Sequence, residues 1–201
     1  MKRFISIMLA LTMLLSFAAC GEKEGPAELK ETVPMDVEQL KTEWKNGALV
    51  INDKEVKIPC KLSEFVEKTG LKLGNESTNT KKILKSDETL TFNVVGPEIS
   101  FKITVKNVGR LEVDYKDASV VKCVFNNTTE GNRQIKFAGT LSPGAAREDV
   151  QKALGIPNGQ SKDDTLYRYR EKDEATGRVV ELIVSFNSYD VANSVSYEII
   201  Q

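Results

Sequence analysis

A serine and a lysine three residues apart are the first groups in this sequence whose types could do chemistry. Ser119 and Lys122 have the spacing at which a lysine can act as the base for a serine nucleophile. Such a pair works from a helix, where residues three apart share a face, but the segment 119–125 alternates like a strand. Residues three apart on a strand point to opposite faces, so we expect Ser119 and Lys122 not to meet.

Acidic residues are the other candidates for catalysis. Asp163 and Asp164 are adjacent in a Ser-Lys-Asp-Asp-Thr segment, which is typical of a solvated turn. The sequence contains no histidine, and this excludes Ser-His-Asp catalysis, Cys-His catalysis and His-ligated zinc. It also contains no calcium loop, phosphate loop or dinucleotide-binding fingerprint. We therefore expect no cofactor and no metal, and an enzyme would have to act through carboxylates alone.

The start of the chain has the pattern of an export signal. Two basic residues, Lys2 and Arg3, precede an apolar run over residues 4–19. The run is too short for a comfortable transmembrane helix, and it ends in small residues, as secretory signal peptides do. No other stretch approaches the length needed to cross a bilayer, so we expect the rest of the chain to lie outside the membrane.

The end of this run, Leu14-Leu15-Ser16-Phe17-Ala18-Ala19-Cys20-Gly21, resembles the lipobox of bacterial lipoproteins. It departs from the motif at Phe17, where Leu, Val or Ile is usual. The resemblance implies removal of residues 1–19, a diacylglyceryl thioether on Cys20, and a membrane partner held through that lipid on the extracytoplasmic face. The alternative is an ordinary signal peptide that is cleaved after Ala19 and leaves Cys20 unmodified.

The charge balance gives no reason to expect nucleic acid as a partner. The chain has 28 basic and 29 acidic residues and a formal net charge of −1. Removal of residues 1–19 takes away only basic charges and leaves a net charge of about −3, which offers no electrostatic case for binding nucleic acid or an anionic membrane surface.

Two cysteines remain after the lipobox, Cys60 and Cys123. In an exported chain such a pair is a candidate disulfide, and the chain-entropy estimate for the loop it would close is about 4 kcal/mol. The alternative is that both are small buried hydrophobic residues with free thiols. Cys60 has no histidine to activate it as a nucleophile, so burial is the simpler role.

The part of the chain after Cys20 divides by composition into a tether and a first folded segment. Residues 20–43 are charged and contain prolines, which predicts a flexible tether with a reach on the order of 25 Å. Residues 44–127 begin with strand-like alternation, and a helix with its apolar face on Leu62, Phe65, Val66 and Thr69 ends at Gly70. Four further strands are predicted at 89–94, 99–105, 110–115 and 119–125. The segment Ile51–Cys60 with its following helix is similar to uncharacterised lipoproteins of Firmicutes.

The second folded segment, residues 132–201, repeats this plan. A helix from about Ala146 to Leu154 is followed by Gly155 and Pro157, and strands are predicted at 165–171, 178–186 and 193–199. The motif Gly144–Pro157 resembles the helix of small outer-membrane assembly lipoproteins and of the β-lactamase inhibitor protein. It departs from them at Ala146, where a hydroxyl side chain normally caps the helix, and the loss of that cap costs about 1 kcal/mol. The two segments together predict an α+β fold of two tandem helix-plus-antiparallel-sheet repeats resembling the β-lactamase-inhibitor-protein-like fold.

One strand of the second segment is a candidate binding face. Tyr167 and Tyr169 alternate with Arg168 and Arg170, so one side of the strand is aromatic and the other basic. If exposed, such a face suits protein or glycan recognition; the alternative is tyrosines packed under the helix and arginines in water. We expect a membrane-anchored, non-enzymatic lipoprotein that binds an envelope protein or glycan. The alternatives are a carboxylate-based hydrolase of cell-envelope polymers and a scaffold subunit of an envelope assembly.

Overall fold

Antiparallel strands dominate the part of the chain that the structure describes. The structure is a computed structural model, and it describes residues 44–74, 81–174 and 176–200. The predicted signal peptide (1–19), the lipidated residue Cys20 and the tether (20–43) lie outside the described residues. The described residues all belong to one unit, 35–201. Within them, no helix is both long enough and apolar enough to span a bilayer.

The first part of the chain contains nine strands and one helix, after a 3₁₀ turn at Trp44–Asn46. In chain order the elements are β1 (Ala48–Ile51), β2 (Lys54–Lys57), β3 (Cys60–Lys61), α1 (Leu62–Thr69), β4 (Lys72–Leu73), β5 (Ile83–Leu84), β6 (Thr89–Val95), β7 (Ser100–Lys106), β8 (Val113–Asp114) and β9 (Ser119–Asn126).

The remaining elements follow a second 3₁₀ turn at Glu130–Gln134. They are β10 (Lys136–Phe137), α2 (Arg147–Leu154), β11 (Gly159–Gln160), β12 (Leu166–Lys172), β13 (Val179–Phe186) and β14 (Ala192–Ile200). Both predicted helices are confirmed within one residue of their expected ends. The N-cap position of α2 is Ala146, and it makes no side-chain capping hydrogen bond, as expected from the missing hydroxyl.

Strands from both predicted segments form one sheet. Its order is β11-β12-β13-β14-β9-β7-β6-β4, all antiparallel, and β3 pairs with the start of β9 beside β14. The joint is the pairing of β14 with β9, which sets Ser194 opposite Asn126 and Glu198 opposite Lys122. The predicted fold of two tandem helix-plus-antiparallel-sheet repeats is therefore wrong. Strand β14 pairs with β13 along one edge. Because an unpaired strand edge is unfavourable, its other edge pairs with β9, and the two predicted segments share one sheet.

One face of this sheet carries the hydrophobic core. Alternate residues of each long strand are buried, and β13 shows the full alternation from Val180 to Phe186. Helix α1 packs on this face, where Phe65 meets Phe101 edge to face at 6.5 Å between ring centroids. Helix α2 lies on the same face, where the side-chain amide of Gln151 donates to the Tyr167 hydroxyl at 3.0 Å. The smaller sheet β10-β1-β2 also joins this core.

The predicted strand at 110–115 is the main local error. Only Val113–Asp114 pairs, with β5, and residues 108–112 form an exposed loop. The cause is Asn107, which is 2% exposed and whose side-chain amide donates to the carbonyls of Leu84 and Leu111. These bonds turn the chain out of β7, so the apolar residues that follow do not continue a strand.

Candidate binding surface

The face of the large sheet opposite the core is an extended surface. We call it the open face. It is formed by the alternate residues that point away from the core on β12, β13, β14, β9 and β7, and its central members are Arg168, Arg170, Glu181, Ile183, Ser196, Glu198, Lys122, Val124, Lys102 and Thr104. Among the described residues, both helices and the small sheet pack on the other face, so these side chains are half-exposed or exposed.

A row of charges crosses the open face. The strand register sets Arg170 opposite Glu181, Glu181 opposite Glu198, and Glu198 opposite Lys122. Like charges directly opposite each other are unfavourable. Here each glutamate has a cation on its outer side: Lys122 Nζ lies 2.8 Å from Glu198 Oε2, and Arg168 Nε lies 3.7 Å from Glu181 Oε1.

The next row of the open face is small and mostly apolar. Ile183 lies opposite Ser196, and Ser196 lies opposite Val124. All three are half-exposed, so a partner could cover them without displacing any other described residue. Apolar side chains flanked by paired charges are the arrangement found at protein–protein contacts, where the apolar centre contributes affinity and the charges contribute selectivity.

The predicted aromatic and basic faces of β12 lie on opposite sides of the sheet. Tyr167 and Tyr169 are 4% and 2% exposed and pack in the core, where burial raises the pKa of Tyr169 to about 12. The Tyr169 hydroxyl donates to the carbonyl of Gly155 at 3.5 Å. Arg168 and Arg170 are exposed on the open face. The structure thus brings the arginines, but not the tyrosines, to a surface that a partner can reach.

Ser119 and Lys122 share the open face, which corrects the expectation that they point to opposite faces. The register between β7 and β9 shifts at Thr104 and Val105, so that Val121 is an extra residue in β9. Such a bulge changes which residues of the strand share a face. The Lys122 ammonium donates to the Glu198 carboxylate at 2.8 Å, so it is directed at Glu198.

Asp163 and Asp164 lie in an exposed turn before β12, as the sequence predicts. The hydroxyls of Ser161 and Thr165 donate to Asp163 Oδ1 at 2.6 and 2.9 Å. These bonds hold the pKa of Asp163 below its usual value. Asp164 accepts from Gln160 through its side chain. The hydrogen bonds of the pair therefore organise the turn, and the lowered pKa makes Asp163 a poor proton donor.

The two cysteines are free thiols in the structure. Cys123 is fully buried in β9, and burial raises its pKa well above the ordinary value. Cys60 is half-buried in β3, and burial, with Glu64 nearby, raises its pKa to about 11. A thiol with a raised pKa is a weak nucleophile at neutral pH. Both cysteines therefore have the chemistry of core residues.

A cavity of about 470 Å³ lies between β2 and α1. It is open to solvent and is lined by three glutamates and two lysines: Lys54, Glu55, Glu64, Glu67 and Lys68. Sequence reasoning did not single out these residues, because the hairpin and the helix become neighbours only in the fold. In the described part of the chain, no cluster of Cys, Asp and Glu side chains could hold a metal ion.

Sequence reasoning also missed Glu181, Glu198 and Asn107. Glu181 is the one charged residue of β13, which is the local signal that could have found it. The pairing of Glu198 with Lys122 depends on a strand register across the whole sheet and has no local signal.

Comparisons of the chain with protein-family models, with curated proteins and with solved structures find no match.

Proposed function

We propose that this chain is a lipid-anchored, non-enzymatic binding module on the extracytoplasmic face of the cell membrane, and that its open face binds an envelope protein. The observation that supports this most is the open face itself. It is an extended surface with paired charges and a small apolar row, and no other described residue covers it. The anchor is the thioether expected on Cys20.

The size of the open face fits a protein partner. Neighbouring strands lie about 4.8 Å apart and each residue advances about 3.4 Å, so the five strands, with about seven residues each, present roughly 24 × 24 Å. That is a few hundred Å², the same order as the roughly 800 Å² that each protein contributes to a standard interface. The aromatic side chains of β12 are in the core, so a glycan would find no tyrosine of that strand to stack on.

The first experiment places a photo-cross-linking amino acid at Ser196, in the centre of the open face. The matched control carries the same amino acid at Lys152, an exposed position on α2. In intact envelopes we expect one discrete cross-linked protein from position 196 and none from position 152. Equal labelling from both positions, or none from position 196, would contradict binding through the open face.

A second variant tests whether the small apolar row matters. Ser196→Glu adds an acidic group between Ile183 and Val124 without touching the core. We expect it to reduce recovery of the cross-linked protein, with the probe then placed at Lys102 on the same face, by at least about tenfold, as burial of an unpaired charge at an interface does. Unchanged thermal unfolding would show that the loss is at the interface and not in the fold.

The anchor is tested separately by metabolic labelling with a radioactive fatty acid. We expect the label to follow the chain and to be lost in Cys20→Ser, because the thioether needs the sulfur. Equal labelling of both chains would show that the lipid is attached elsewhere. An anchored chain with no cross-link would leave the membrane location standing and remove the binding function.

The second candidate function is a hydrolase that uses carboxylates, and the cavity beside α1 favours it. Glu64 and Glu67 lie three residues apart on α1, and Glu55 faces them from β2. Glycoside hydrolysis needs two carboxyl groups at such a site. Release of fragments from purified envelope polymers, lost in Glu64→Gln, would support this function over the binding module.

A further inference from the structure

A second exposed surface lies beyond the end of β7, around the two-stranded sheet β5–β8. Three large apolar side chains are exposed there: Ile83 (49% exposed), Val108 (44%) and Leu111 (80%). We call these three residues and the loop 108–112 the apolar tip. All five residues of the loop are exposed, so the tip stands clear of the core.

Asn107 holds the parts of the apolar tip together. Its buried side-chain amide donates to the Leu84 carbonyl at 3.0 Å and to the Leu111 carbonyl at 2.7 Å, and its Oδ1 accepts from the Gly109 N–H at 2.9 Å. The three apolar residues are each at most one position from a residue bound to Asn107. The exposed side chains are therefore presented together by a fixed turn, and the exposure is a feature of the fold.

The charges around the apolar tip are mainly positive. The exposed residues of the tip and of the neighbouring segments 81–83 and 85–87 include four cations and two anions: Lys81, Lys82, Lys85, Arg110, Asp87 and Glu112. Lys81 is bound to Glu88, and Asp87 is bound to Lys106. Neither Lys82 nor Arg110 makes an ion pair with another described residue. Among these exposed residues the cations therefore outnumber the anions by two, although the chain as a whole is slightly acidic.

We propose that the apolar tip docks onto an anionic phospholipid surface. Its apolar side chains would enter the headgroup region, and Lys82 and Arg110 would pair with lipid phosphates. Three apolar residues on a short turn are too small a surface for a standard protein interface, but they suit shallow insertion next to cations. The proposal rests on the proposed membrane anchor, because Cys20 would hold the domain within reach of the bilayer.

Docking of the tip also restricts the orientation of the domain. A tether alone, with a reach on the order of 25 Å, leaves the domain free to rotate. A second contact, made through the tip, becomes intramolecular once the lipid is inserted, so weak affinity is sufficient. With the tip on the bilayer, fewer orientations of the domain are allowed, and the open face is presented to partners over a narrower range of directions.

The experiment measures the depth of the tip in the full chain, reconstituted into vesicles. An environment-sensitive fluorophore is attached in Leu111→Cys, with Cys60→Ser added so that the half-buried thiol does not react. The matched control is Ile156→Cys, since Ile156 is a single exposed apolar residue (92% exposed) after α2. The vesicles are made of phosphatidylglycerol with brominated acyl chains, because bromine quenches a fluorophore that enters the bilayer.

We expect strong quenching at position 111 and none at position 156. Arg110→Gln in the Leu111→Cys chain should lower the ratio of quenched to unquenched fluorophore about fivefold, the usual effect of one cation near an anionic surface. Vesicles of phosphatidylcholine alone should reduce quenching further, because the cations then have no anionic partners.

An unquenched fluorophore at position 111 in anionic vesicles would overturn the proposal, as would equal quenching at positions 111 and 156. Shielding of position 111 only when envelope proteins are present would show that the tip binds protein instead of lipid. Fatty-acid labelling of Cys20 is read in the same preparations. Labelled Cys20 with an unquenched tip overturns the tip alone, whereas a quenched tip without the label overturns the anchor alone.

Discussion

The two helices look alike in sequence and are held in the structure by different means. Both α1 and α2 have eight residues, both lack a side-chain N-cap, and both end at a glycine. Helix α1 buries Leu62 and Phe65 completely and Thr69 almost completely. Helix α2 buries only Val150. A similar local pattern thus gives one helix built into the core and one that rests on it.

Besides the burial of Val150, helix α2 is held at its first residue, Arg147. The guanidinium donates from Nε and Nη2 to Asp190 Oδ1 at 3.0 and 2.8 Å. The same group lies over the rings of Tyr167 and Phe186, at 5.0 and 4.4 Å from the ring centroids. One planar cation therefore joins the helix to the β13–β14 turn and to the sheet. The comparison teaches that a short helix can be positioned either by apolar burial along its length or by a clamp at one end.

The largest expected effect is the loss of stability when a buried side chain of each helix is truncated, and it should differ between the two helices. Phe65→Ala should lower the free energy of unfolding by about 3–5 kcal/mol, because it removes a fully buried ring that contacts Phe101. Val150→Ala should cost about 2 kcal/mol, since it removes two methyl groups and leaves a smaller cavity. Urea unfolding followed by circular dichroism measures both. Equal losses would mean that α2 is as deeply built into the core as α1.

Substitution of the glycines that end the two helices should give the next largest loss of stability, and here the larger loss is expected for α2. Gly70 has φ 70° and ψ 11°, which other residues can adopt at a cost, whereas Gly155 has φ 78° and ψ −152°, a conformation almost restricted to glycine. A Cβ at either position would meet nothing within 4 Å, so only the backbone contributes. We expect Gly155→Ala to cost about 2 kcal/mol and Gly70→Ala about 1 kcal/mol.

A larger loss from Gly70→Ala would contradict this reasoning. It would mean that the end of α1 cannot relax without disturbing the core, so that burial outweighs backbone conformation. The same urea titrations serve, and Gly177→Ala, in an exposed loop with φ 71° and an equally free Cβ position, is the reference for the cost of a positive φ alone.

The local part of the fold could be predicted from the sequence. The apolar spacing of Leu62, Phe65 and Thr69 with Gly70 after it specifies α1, since capping and amphipathic period are local properties. The long strands β6, β7, β9, β12, β13 and β14 were found for the same reason. Period and turn residues act within a few positions, and a single sequence records them directly.

The sheet order and the open face could not be predicted, because they depend on pairs that are distant in the sequence. Nothing near Glu198 shows that its strand pairs with Lys122, and the tandem-repeat prediction failed at this joint. The bulge at Val121 likewise has no local marker, yet it decides which side chains share a face with Ser119. Asn107 shows the same limit, since a buried amide that binds two distant carbonyls reads in sequence as an ordinary polar residue.

The smallest expected effect tests the clamp on α2. Arg147→Lys keeps the positive charge but loses the two-point contact with Asp190 and the planar stacking on Tyr167 and Phe186. We expect a loss of about 1 kcal/mol in the free energy of unfolding, because the group is near the surface and partly screened. Arg178→Lys, at an exposed position before β13, is the matched control and should change nothing measurable.

The most informative measurement for Arg147→Lys is which segment of the protein unfolds locally. If the guanidinium positions α2, amide hydrogen exchange should accelerate at Val150 and its helical neighbours, while exchange in α1 stays unchanged. An equal acceleration in both helices would mean that Arg147 acts only through global stability. A local effect would show that α2 can detach while the core around Phe65 stays folded, which is what a helix held by a clamp at one end should do and a helix held by burial should not.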